Sequence, residues 1–127
     1  MRLAVISRLA VLAAIALTCG CNSNNKGKIE ATRWSSLPAT IKGQTLPADS
    51  LQLSFGGNGQ MVYRIKPLSG TDQTYKGTYS LGFENLVTLH LEQELAGKKT
   101  HVETVVINGD RLTMTDLDGT SLTFVKK

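Results

Sequence analysis

Residues 51–65, LQLSFGGNGQMVYRI, decide the fold. Leu51, Leu53 and Phe55 alternate with polar residues, and Met61, Tyr63 and Ile65 do the same after a glycine-rich break. Alternation at period two marks strands with one buried face. The break, Gly56, Gly57, Asn58 and Gly59, reads as a type I turn ending in a left-handed Gly59, a three-residue hairpin loop with a bulge. That loop pairs Gly56 with Gln60, Leu53 with Tyr63 and Leu51 with Ile65.

The same pattern recurs at Asn108-Gly109 and Asp118-Gly119. Reading all three turns alike pairs Thr104 with Leu112, Val102 with Met114, Leu112 with Phe124 and Met114 with Leu122. A two-residue turn at either site would shift the register by one and exchange the faces, so it is not expected. Lys76–Leu81 and Leu86–Leu95 complete the strand series, with Tyr79, Leu81, Val87, Leu89 and Leu91 facing inward beside Val102 and Val106. No helical periodicity follows Cys21. The expected fold is therefore all-β, an antiparallel meander that forms a small closed or partly closed barrel, since closure removes exposed edges. The inward residues are large enough to fill such a barrel, which is just wide enough for its own side chains or one small ligand. Met61 and Met114 allow some adaptation.

Residues 1–20 read as a cleavable export signal. Arg2 and Arg8 form a basic head, and Leu9–Leu17 is an apolar run. A bilayer span takes about 20 apolar residues; this run has the length of a secretory signal. Leu17, Thr18, Cys19, Gly20 and Cys21 resemble the bacterial lipobox, which makes Cys21 the expected lipidation site and first mature residue. Its acyl chains, such as palmitate, would gain ~0.8 kcal/mol per buried CH₂ and hold the domain at a membrane. Residues 21–27 are expected as a polar tether and 28–127 as a single β domain. Its first strand is expected over Lys28–Trp34. Pro38, Gly43 and Pro47 break any long element before Ser50.

The full chain carries 14 Lys and Arg against 10 Asp and Glu, and removing the signal takes away Arg2 and Arg8 but no acid. The mature chain is only mildly basic, without the clustered cations that nucleic acid would require. Both cysteines, Cys19 and Cys21, lie at the signal junction. The exported domain therefore has no disulfide, and burial and backbone pairing must stabilise it.

FGGNGQMVY (55–63), YKGTYSLG (75–82) and DRLTMTDLDGTSLTF (110–124), with Gly27 and Trp34 near the first strand, resemble lipocalin-like domains. They resemble still more a paralogous family of small exported proteins of planctomycete bacteria. The likeness covers most of Lys28–Val125 and implies a barrel, but no catalytic residues. Lipocalin-like domains place their first Gly and Trp close together, whereas Gly27 and Trp34 are separated.

The chemistry-bearing residues are few. A turn centred on Ala96 and Gly97 sets Leu95 against Lys98, His90 against Glu103, Glu92 against His101 and Glu94 against Lys99, gaining opposite-charge pairs of ~0.2–1 kcal/mol. The resulting patch of His90, Glu92, His101 and Glu103 lies on the outer face. It could bind Zn²⁺, but exposed charges pairing across strands are the expected account, and no metal site is expected. The expectation is a monomeric, non-enzymatic binding or interaction module with no cofactor, lipid-anchored to the cell envelope on the periplasmic side or the surface. Its partners would be the membrane and a small apolar ligand or an envelope protein. The alternatives are a metal-dependent or hydrolytic enzyme using the His90/His101 patch, and a purely structural envelope protein.

Overall fold

The computed structural model describes residues 22–127, so the signal segment and Cys21 lie outside the described residues. Ten strands follow one another: β1 (Thr32–Ser36), β2 (Ala39–Ile41), β3 (Gln44–Leu46), β4 (Leu51–Phe55), β5 (Gln60–Ile65), β6 (Gln73–Leu81), β7 (Leu86–Leu95), β8 (Lys98–Asn108), β9 (Arg111–Thr115) and β10 (Ser121–Lys126). Eight of them close an antiparallel barrel in the order β1-β10-β9-β8-β7-β6-β5-β4, while β2 and β3 form a separate hairpin. Every barrel strand is thus paired on both sides, which selects the closed barrel over the partly closed one.

The β4–β5 hairpin has the expected register, with Leu53 opposite Tyr63 and Phe55 opposite Met61. Gly59 has φ 86°, the left-handed conformation that glycine adopts without penalty. The β9–β10 hairpin also matches, pairing Met114 with Leu122 and Leu112 with Phe124. The β8–β9 hairpin does not. It closes through a two-residue turn, Gly109-Asp110, that pairs Asn108 with Arg111, Ile107 with Leu112 and Val105 with Met114. Gly109 is the one residue of this turn at positive φ, 65°, as the first central position of a type II′ turn requires. Val105, rather than Val106, therefore points inward and is fully buried. Because Val105, Val106 and Ile107 are consecutive and apolar, β8 itself cannot reveal which face is inner; Met114 and Leu112 on β9 decide it.

The core joins Trp34, Leu53, Phe55, Met61, Tyr79, Val87, Leu89, Leu112, Met114 and Phe124, with Tyr63, Ile65, Leu81 and Leu122 partly buried against them. Phe55 and Tyr79 meet edge to face, their ring centroids 5.1 Å apart, a geometry worth ~0.5–1.5 kcal/mol beyond burial. The Tyr79 hydroxyl donates to the Gly56 carbonyl at 2.6 Å, tying β6 to the β4–β5 turn. All the inward residues expected from alternation join this core except Val102 and Val106.

The two barrel ends differ. Turns 55–60, 81–86 and 108–111 lie at one end; turns 95–98 and 115–121 lie at the other. Residues 22–31 cover the first end, which corrects the expectation of a polar tether over residues 22–27. Asn25 is buried, its Nδ2 donating to the Val105 carbonyl at 3.0 Å, and Ile29 is 0% exposed within the core. The Asn24 amide donates to the Glu84 carbonyl at 2.7 Å, and Ser23 bridges to the same residue. The tract is polar because its side chains replace water as partners of backbone groups, which must be satisfied when buried. Strand β1 consequently begins at Thr32, later than the Lys28 start expected, after Ala31 turns the chain at φ 58°.

Candidate functional site at the open barrel end

The departure of greatest functional consequence lies between β7 and β8. Leu95 faces Lys98 across the Ala96-Gly97 turn as expected, but His90 faces Thr100, Leu89 faces His101 and Val87 faces Glu103. Four residues, 91–94, stand against Lys99 alone, so the register slips by three while Leu91 stays buried opposite Gly77 on β6. The Cβ of an alanine at residue 77 would lie 2.0 Å from the His90 carbonyl oxygen, so Gly77 on β6 is what allows β7 to run so close there.

The slip divides the sequence-predicted patch. His90 and Glu92 remain exposed on the outer face. His101 and Glu103, opposite inward-facing Leu89 and Val87, turn toward the barrel interior. The four residues therefore do not form one group, and the pairings of His90 with Glu103 and Glu92 with His101 are not made.

At the open end His101 and Glu103 line a cleft of about 180 Å³ with Tyr63, Leu89, Leu91, Leu95, Met114, Asp116, Thr120 and Leu122. Strand alternation brings Tyr63 inward from β5, and β7 supplies the apolar wall. The β9–β10 turn brings Asp116 over the rim. That turn is held by its own carboxylates: Asp116 Oδ1 accepts the Asp118 amide at 3.1 Å and the Thr120 amide at 3.0 Å. His101 is oriented by a 2.9 Å contact of its Nε2 with the Lys98 carbonyl.

Burial pushes the Glu103 carboxyl up to about 7, and the negative charges of Asp116 and Asp118 add to the effect. Burial likewise raises the Tyr63 hydroxyl well above the ordinary phenol range, reinforced by the charge of Glu103. Among the described residues Glu103 makes no ion pair. Asp118, at the outer rim, is held low, at about 2, by hydrogen bonds with the Asp116 side chain and with Thr120. The site is thus an apolar cleft with acid at its wall and rim. Sequence alternation flagged Tyr63, Leu89, Leu91, Met114 and Leu122 as inward. It missed Glu103, whose inward position needs the β8–β9 pairing.

No family model matches the chain, and no curated protein does. Among solved structures, it is similar to an uncharacterized protein from Bacteroides eggerthii, at a TM-score of 0.57 and 15% identity, covering 76% of this chain and 98% of that one. At that identity the likeness concerns the fold. It supports the small β-barrel architecture.

Proposed function

We propose that the chain is an exported, lipid-anchored, non-enzymatic binding module whose open barrel end takes a small amphiphile with an apolar body and a cationic or hydrogen-donating head. The observation that carries this reading is Glu103, an inward carboxyl with no ion-pair partner among the described residues, set among Leu89, Leu91, Leu95 and Leu122. A carboxylate in such surroundings is costly unless paired, and an incoming ammonium would supply the pair. Drug-sized ligands occupy about 300–1,000 Å³. The 180 Å³ cleft suits one short alkyl or aryl group.

Lipidation at Cys21 and an envelope location rest on the lipobox-like Leu17–Cys21 and the signal-like residues before it. The decisive experiment is titration of the protein with hexylamine and, separately, hexanoate, followed through the methyl resonances of Leu89, Leu91 and Leu122. Hexylamine should shift them saturably and Glu103→Gln should abolish the response, while hexanoate should have no effect. Equal responses to both compounds, or binding untouched by Glu103→Gln, would refute the proposal. A carboxyl poised near neutral pH is also what general-base catalysis uses. That second reading requires the bound amine to be chemically altered on incubation, which the same spectra would show.

A further inference from the structure

We propose that Phe83, Leu86 and Val106 form the face on which the barrel rests against a lipid bilayer. The inference builds on the lipid-anchored reading. All three side chains are exposed, Phe83 by 58%, Leu86 by 43% and Val106 by 46%. They are also contiguous. Leu86 on β7 faces Thr104 on β8, and Val106 is two residues further along the same outer face. Phe83 sits in the preceding turn, its carbonyl accepting the Leu86 amide at 3.2 Å.

The course of the chain connects this patch to the anchor. The Glu84 amide donates to the Asn22 carbonyl at 3.2 Å, and the Asn24 amide donates to the Glu84 carbonyl at 2.7 Å. Asn22 is therefore pinned to the turn that carries Phe83, and it is the residue immediately after Cys21. One residue spans at most ~3.6 Å, so acyl chains on Cys21 would enter the bilayer beside Phe83, with no free linker to hold the domain away. Apolar and aromatic side chains buried at the headgroup boundary add to the binding given by an acyl chain. The segment over the same end supplies two exposed cations, Lys26, which pairs with Glu30 at 3.6 Å, and Lys28. Glu84 is the opposing acid in the Phe83 turn. Among the described residues, the other strongly exposed large apolar side chains, Leu68 and Leu117, lie in loops at the open end, away from Asn22. Seated this way, the barrel presents the Glu103 cleft to the side opposite the membrane.

The test uses the full chain purified from membranes and reconstituted in phosphatidylethanolamine–phosphatidylglycerol vesicles with or without brominated acyl chains, which quench indole emission on contact. Phe83→Trp and Leu117→Trp are compared, with the parental protein giving the background from buried Trp34. The Phe83→Trp variant should lose its added emission in brominated vesicles, and Leu117→Trp should not. Equal quenching of the two variants would overturn the proposal, as would a blue-shifted but unquenched Phe83→Trp variant, which would place protein or a second copy over the patch. Intact mass distinguishes the two levels of failure. A chain without acyl mass on Cys21 overturns both anchor and docking face, whereas an acylated chain with an unquenched Phe83→Trp variant overturns the docking face alone.

Discussion

Replacing Glu103 by Gln should make the protein more stable above neutral pH and leave it unchanged near pH 4. The folded-state carboxyl titrates at about 7 against an ordinary 4.5, because burial first and Asp116 and Asp118 second oppose its charge. Between those values the folded chain holds a proton that the unfolded chain has released. Stability therefore falls as pH rises from about 4.5 through 7, and levels off above. At ~1.4 kcal/mol per pH unit a fully shielded carboxyl would cost the fold roughly 3 kcal/mol at pH 8. Glu103 is partly open to solvent at the cleft, and screening reduces the expected cost to about 1 kcal/mol. Gln has nearly the same shape and carries no charge at any pH, so it removes the cost. For a domain of this size about 1 kcal/mol corresponds to roughly 4–8 °C in melting temperature. Thermal unfolding of both proteins should give coincident midpoints at pH 4 and a gap of that order at pH 8, with the difference curve rising between about pH 4.5 and 7. Parallel profiles, or a less stable Gln variant at pH 8, would show that Glu103 does not face the apolar cleft.

Other consequences are open to direct measurement. Asn25→Ala should cost about 1–3 kcal/mol in denaturant unfolding, because the buried Val105 carbonyl loses its donor; a neutral result would restore the tether reading. Gly77→Ala should be destabilising by more than ~1 kcal/mol, since its Cβ would meet backbone on β7 rather than a movable side chain. Gly57→Ala, at a position with nothing within 4 Å, should be nearly neutral, and Gly59→Ala should cost about 1 kcal/mol through its positive φ. Cys21→Ser should release the domain from the membrane into the soluble exported fraction without lowering its melting temperature; retention in the membrane would refute the lipidation site.

The β architecture was legible because period-two alternation in Leu51–Phe55 and Gln60–Ile65 is a local property, and a turn of known length converts it into a register. The same local logic correctly paired β9 with β10, and it identified most of the core. It failed where two local solutions were equally apolar. Val105-Val106-Ile107 satisfies either face, and only contact with Leu112 and Met114 selects one. It failed again across Leu91–Glu94, where cross-strand charge pairing favoured a regular hairpin worth a few tenths of a kcal/mol per pair. The barrel instead turns Val105 inward opposite Met114 and buries it fully, a burial worth about 1.5–3 kcal/mol, and β7 takes up the changed register by bulging its charged residues out.

The chain's own sequence thus determined most of its barrel strands, two of its hairpin registers, most of its inward residues and the positive φ of Gly59, Gly109 and Gly119, all of which depend on neighbours a few residues apart. Tertiary structure alone decided that Asn25 and Ile29 close one barrel end and that Glu103 faces into the other. Those positions depend on partners far along the chain. Asn25 is matched to Val105 across 80 residues, and the face of β8 is chosen by β9 on one side and the bulged β7 on the other. Burial summed over the closed barrel outweighs the local preferences that a linear reading can weigh.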